Sequence, residues 1–187
     1  MQIRTDTDRM LMDSFKELTL HSAVEKITIK EITDKAGVIR PTFYNHFQDK
    51  YEMIEKIIVT EILDPVKMLL ANDMITEAQA LIFTNLQKDK AFYVRLSRMQ
   101  GPVTFEDITK KCIKDLFKEY VHNKKPNSQE MPRWFSLEHI AQYYAQSFSF
   151  IVIWWIQSGM TVPPKEMSGV CEYMMTHSMS DAVTELF

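Results

Sequence analysis

Glycine is scarce, with four residues in 187, and only seven prolines accompany it. So few turn-formers cannot punctuate a many-stranded sheet, and they fall well below the content of a low-complexity tail. Two cysteines, Cys112 and Cys171, are no disulfide framework and fit a reducing compartment. Long apolar runs are missing too. Residues 140–164 hold no Asp, Glu, Lys or Arg, yet Gln142, Gln146, Ser147, Ser149 and Gln157 interrupt them, and the longest purely apolar run is Phe150–Ile156. A membrane span needs ~20 such residues. The first thirty residues contain no apolar segment leading to a small-residue cleavage site, so no secretory signal is expected and a cytoplasmic protein is the default. The net charge of -3, and 0 over residues 1–50, does not by itself advertise nucleic-acid binding.

What is present is a globular composition, 45% apolar and 25% charged, with a period that is helical almost throughout. Leu11, Phe15 and Leu18 recur at i, i+4, i+7, which makes about 6–22 an amphipathic helix with Asp6, Asp8, Lys16 and Glu17 off its apolar stripe. Thr28 and Glu31 have capping-box spacing, predicting a short helix over 29–36 that Gly37 ends. Arg40-Pro41-Thr42 opens a third helix with proline in its first turn. A fourth runs from near Lys50 toward 70, bent or broken at Pro65. Further helices are expected at about 74–88, 90–99, 104–121, 134–158 and 165–185, separated by Gly101-Pro102, by Lys124 to Pro132 and by Gly159 to Pro164. The fold class is all-α, about nine helices, with no internal repeat.

The stretch 28–54 carries the most information. Helix, glycine-containing turn and short helix is the layout of a helix-turn-helix unit, whose second helix enters the major groove. Ile29, Ile32, Ala36, Val38, Phe43 and Phe47 supply its apolar side, leaving Arg40, Thr42, Tyr44, Asn45 and His46 to face outward. Such side chains donate to phosphates or read base edges. On spacing alone, a capped helical hairpin with a polar surface is the better-supported reading of the two.

AGVIRPTFYNHFQDK then adds a resemblance. It is similar to the N-terminal signature of TetR-family transcriptional regulators, in Ala36, Gly37, Val38, Thr42, Phe43, Tyr44, His46, Phe47, Lys50, Glu52, Met53 and Ile54. The likeness spans about residues 8–57. It implies a three-helix DNA-binding domain over 1–50 and a helical effector-binding and dimerisation domain over 51–187. Carried over residue by residue, it implies that Thr28 caps its helix and donates to a phosphate, and that Lys30 reaches the backbone or a base. It also places Arg40, Pro41 and Thr42 at base-reading and adjacent phosphate positions. Tyr44 and His46 resemble phosphate contacts, Asn45 lies beside them, and Lys50 would clamp a phosphate. Ile39 departs from the family pattern, standing where many members have a capping serine. Ala23 stands where a glycine often ends the first helix; a left-handed backbone there would cost on the order of 1 kcal/mol. The C-terminal YYAQSFSFIVIWWIQSGMTVPPKEM resembles family members with an aromatic helix followed by a proline-opened last helix. FYNHFQDKYE is similar to the motif of the DhaS-like group, which keeps a coactivator with a protein partner beside the repressor reading.

For the body, the expectation is a homodimer through 134–158 and 165–185. Ala141, Ala145 and Ser149 would allow close approach, and Trp154, Ile156, Val170, Met174 and Met175 would supply apolar area. Its two-fold axis calls for a pseudo-palindromic double-stranded DNA operator. A small-molecule effector would enter an apolar pocket. Tyr144, Phe148, Ile151 and Trp155 would line one wall, Phe92, Leu96, Phe117 and Tyr120 the other, with His139 or Gln146 as the orienting polar group. The rival reading makes these aromatics plain core. Most of the thirteen methionines, Met10, Met53 and Met68 included, are expected in the core. Glu17, His21 and Glu25 share a helix face, but a solvated face is the better reading than a metal site. Cys112 lies among Lys110, Lys111 and Lys114, without a resolving partner that would make it a redox sensor. No catalytic constellation or phosphate loop stands out, so neither an enzyme nor a cofactor is expected.

Overall fold

The computed structural model describes residues 2–123 and 136–186, so the expected break at Lys124 to Pro132 lies outside the described residues. The helices are α1 (Gln2–His21), α2 (Ile29–Ala36), α3 (Arg40–His46), α4 (Lys50–Ile57), α5 (Lys67–Ala71), α6 (Ile75–Lys88), α7 (Lys90–Leu96), α8 (Phe105–His122), α9 (Leu137–Gln157), α10 (Pro164–Thr176) and α11 (Met179–Leu186). Each of the nine expected stretches contains a helix among the described residues, and the largest overrun is at 90–99, where α7 stops at Leu96. Two are divided: 165–185 breaks between α10 and α11, and 50–71 is one bent rod. Pro65 has no N–H to give and crowds the carbonyl of Glu61, so the rod widens to π turns over Ile58–Leu63 and tightens over Asp64–Val66 before α5.

Local chemistry accounts for the N-terminal unit. The Thr28 hydroxyl accepts from the Glu31 N–H at 3.2 Å, and the Glu31 carboxylate accepts from the Thr28 N–H at 2.8 Å, closing the capping box of α2. Gly37 ends that helix at φ 69°, where a side chain would be strained. Ala23 lies at φ -65°, ψ 142°, so the chain leaves α1 in an extended conformation and alanine carries no left-handed cost there. Leu11, Phe15, Ile32, Phe43 and Phe47 are buried together, and this core continues into Met53, Ile54 and Ile57 on α4. Two methionines depart from expectation: Met53 is buried, whereas Met10 and Met68 are exposed.

Lys16 also departs from it. Although off the apolar stripe, it is largely enclosed, with its ammonium 2.8 Å from Glu61 and 2.6 Å from Asp89. It thereby ties α1 to the π turns and to the start of α7. Phe92 packs edge-on against Phe15, at 6.2 Å between ring centres, on the same side. In the body, α8 is the principal neighbour of α9, and α10 packs on α6.

The hydrogen bonds from Thr28 hold the Glu31 carboxyl below its ordinary value of 4.5, and those from Thr104 hold Asp107 below 3.8. A depressed carboxyl stabilises the fold above its unfolded value, and that stability is lost as pH falls through the folded one. Wild type should therefore lose melting temperature below about pH 4.5 more steeply than Glu31→Gln, which keeps the capping geometry without the titration. Melting curves from neutral pH down to about 3 check this; parallel curves would sink it.

Candidate nucleic-acid interface and ligand cavity

α3, the second helix of the helix-turn-helix pair, stands with one face in the core and one in solvent. Phe43 points inward, with its ring centre 5.7 Å from Phe47 and 5.6 Å from Tyr44. Arg40, Pro41, Tyr44 and Asn45 are exposed, Thr42 is half-buried, and Lys30 is exposed on α2. Arg40 is braced along the helix: its guanidinium donates to the Tyr44 hydroxyl at 3.1 Å and lies 5.6 Å over the ring. Ile39, at the start of α3, makes no side-chain cap bond and is 70% exposed, so the serine-type cap is missing and an apolar group stands in its place.

Three residues expected to reach phosphates are engaged inside the protein. Lys50 turns its ammonium to the carbonyls of Val24 (2.7 Å), Glu25 (3.2 Å) and Ile27 (3.3 Å), which uses all three of its donors. Burial holds that ammonium below its ordinary value. The Thr28 hydroxyl donates to Glu31 at 2.7 Å. The His46 Nδ1 sits 2.5 Å from Asp8, joining α3 to α1. These residues position the reading helix; in this conformation the groups that face outward are Arg40, Pro41, Tyr44, Asn45 and Lys30. Lys50→Ala should consequently destabilise the N-terminal unit by about 1–3 kcal/mol, as expected when a charged hydrogen-bond donor is removed. It should leave the salt slope of DNA binding unchanged, whereas loss of a phosphate contact would flatten that slope by about one unit.

The body contains a cavity of about 390 Å³ lined by Leu70, Ile75, Ala78, Gln79, Ile82, Ile113, Leu116, Phe117, Tyr120, Tyr144, Phe148 and Met175. Four expected residues line it: Phe117, Tyr120, Tyr144 and Phe148, with the Phe117 and Tyr144 rings stacked at 5.2 Å. The remaining six lie elsewhere. Phe92 and Leu96 are buried in the core, Phe92 against Phe15 of α1. The Trp155 side chain is core, donating to the Val162 carbonyl at 2.8 Å, and Ile151 packs on the same core. His139 closes the cap of α9 with Ser136, and Gln146 pairs with Gln142 on the outer surface. The polar group missed was Gln79. It lies on the apolar stripe Ile75, Ala78, Ile82 of α6, and a glutamine within such a stripe was the signal available.

The dimer residues sort by exposure. Trp154, Val170, Met174 and Met175 are exposed, joined by Tyr143 and Phe150 at 68%. Ala141, Ala145, Ser149 and Ile156 are closed within the protomer, where the small side chains serve packing inside the chain and cannot meet a second copy. Cys112 is buried and its thiol is pushed up to about 12, chiefly by burial, while Lys111 is committed to Glu55 at 2.7 Å. Such a thiol is inert. Among the described residues no cluster of His, Cys, Asp or Glu is placed to hold a metal, and Glu138 pairs with Lys114 and Lys118.

A glycine-ended helix, a tight turn and a short helix with a polar outer face define a helix-turn-helix protein. Residues 16–57 match the model of the bacterial regulatory proteins of the tetR family, and residues 73–177 match that of a transcriptional regulator C-terminal region. The chain belongs to the TetR family of DNA-binding transcriptional regulators, which are not enzymes. No curated protein sequence matches it. Among solved structures it is similar to the dihydroxyacetone kinase operon activator DhaS, at 20% identity and a TM-score of 0.58, over 90% of this chain and 93% of that one. It is also similar to NalD, the secondary repressor of the MexAB-OprM multidrug efflux pump in Pseudomonas aeruginosa, at 16% identity and a TM-score of 0.56, over 94% and 96% of the two chains. At these identities the likeness concerns the fold. No described helix is long and apolar enough to cross a membrane.

Proposed function

We propose that the protein is a cytoplasmic, homodimeric repressor that binds a pseudo-palindromic operator and is released by a small apolar effector. Residues 1–50 read DNA; residues 51–187 dimerise and hold the effector. The observation that carries the reading is the outward face of α3, where Arg40, Tyr44 and Asn45 are exposed and Phe43 locks the helix from behind. Dimerisation is supported by the exposed apolar residues Phe150 and Trp154 on α9 and Val170 and Met174 on α10. A two-fold pair would set the two reading helices one DNA turn apart, about 34–36 Å.

The release route follows the bent rod. Leu70, on α5, forms part of the cavity wall, and at the far end of the same rod Lys50 holds the carbonyls ahead of α2. A ligand that favours one rod position shifts the spacing of the reading helices only by its differential affinity, and hundredfold release needs about 2.7 kcal/mol. One observation favours a second reading, a coactivator that binds DNA with a protein partner: Thr28, His46 and Lys50 have their polar groups engaged internally. DhaS is an activator and NalD a repressor, so both signs of regulation occur on this fold.

A gel shift of the purified chain on its own promoter region separates the two readings. The repressor reading expects a shift by the chain alone; the coactivator reading expects one only with a partner. Arg40→Ala should cost ~1–3 kcal/mol and relax preference at one base position. Uniform loss across randomised operators would make Arg40 a phosphate contact.

A further inference from the structure

The cavity has a polar requirement of its own, an inference that rests on reading it as the effector site. Gln79 is 7% exposed and lines the cavity. Its Nε2 lies 3.6 Å from the Met175 sulfur, a weak acceptor, while its Oε1 is buried without a hydrogen-bond partner. A buried amide oxygen left unpaired is unfavourable, and a ligand donor would satisfy it. The opposite orientation would set the oxygen against sulfur and lose the bond to Met175. No Asp, Glu, Lys, Arg or His lines the wall, so an ion would shed its water with no counter-charge to meet. Tyr120 is already engaged, donating to Asp73 at 2.8 Å. Apart from the hydroxyl of Tyr144, whose ring stacks on Phe117, the remaining lining side chains are aliphatic, aromatic or thioether, and the volume falls within the roughly 300–1,000 Å³ of small-molecule sites.

We infer that the cavity takes an uncharged, largely apolar ligand with one N–H or O–H donor, which Gln79 accepts, and that Gln79 sets this selectivity. Three probes of one shape test it by calorimetric titration: 2-naphthol, which has the donor; 2-methoxynaphthalene, which lacks it; and 2-naphthoate, which is charged. Wild type should bind the naphthol about tenfold tighter than the ether, and the naphthoate weakest of all. Gln79→Met, close in size, should erase the naphthol preference while keeping affinity for the ether within about threefold. Gln79→Leu provides a second variant should methionine disturb the fold, and the wild-type comparison needs neither.

Equal binding of naphthol and ether, or tightest binding of the naphthoate, would overturn the inference and leave the cavity as a ligand site. Failure of all three probes to bind at up to about 1 mM would overturn the effector-site reading and the inference together. Gln79-dependent naphthol binding that leaves the protein on its operator would support the selectivity and overturn the release mechanism.

Discussion

Replacing Trp154 with glutamate should leave the protomer folded, separate the dimer at micromolar concentration and abolish specific operator binding. The side chain is 54% exposed, on the stripe that also shows Tyr143 and Phe150, so the substitution removes little intramolecular packing. Across a two-fold axis the same patch meets itself, and each tryptophan lost is lost twice. A central interface tryptophan is commonly worth ~2–4 kcal/mol, and a buried unpaired carboxylate adds to the penalty. A monomer holds one reading helix against one half-site, so binding should fall from the ~10⁻⁸–10⁻¹¹ M range of specific complexes toward the ~10⁻⁴–10⁻⁶ M of non-specific ones. Sedimentation equilibrium and fluorescence anisotropy read the two effects. A wild-type chain that sediments as a monomer would remove the basis for the prediction.

The second large effect is expected at Phe43. Its ring is fully enclosed in the core of the N-terminal unit, where α3 packs on α1 and α2. Truncation to alanine removes that packing and leaves a cavity, at a cost of ~3–5 kcal/mol. The unit it supports is small, so Phe43→Ala should melt the N-terminal helices at a temperature where the body remains folded, and DNA binding should be lost with them. Hydrogen exchange would show the loss over residues 28–57 while α8 and α9 keep their protection. Asn45→Ala, on the exposed face of the same helix, should change stability by less than about 0.5 kcal/mol while weakening DNA binding. Equal melting of Phe43→Ala and Asn45→Ala would contradict this division of labour.

Residues whose partners lie within a turn or two of chain were legible from the sequence. Thr28 and Glu31 are three apart, Gly37 takes the positive φ its position requires, and Phe43 and Phe47 pack from four apart. Partners distant along the chain were not. Lys50 meets carbonyls 23 to 26 residues away, His46 meets Asp8 from 38 away, and Lys16 reaches Asp89 across 73. An apolar period shows that a face is buried without naming its neighbour. Phe92 and Phe117 both fit helical stripes, yet Phe92 packs against α1 and Phe117 lines the cavity. Ala141, Ala145 and Ser149 carry the small-residue spacing of a close contact, but that contact lies inside the protomer. Gln79 shares the cavity with Leu70, Ile113 and Met175, residues of three other helices that only the tertiary arrangement brings together.

The most direct test of the central claim is selection of binding sites by the purified 187-residue chain from random double-stranded DNA, at fixed physiological salt. The account predicts enrichment of one pseudo-palindrome with half-site centres about ten base pairs apart, bound by a dimer. With Arg40→Ala, preference should relax at a single symmetric pair of positions. A wild-type chain that retains DNA only through salt-sensitive, sequence-independent binding, with no motif enriched, would contradict it.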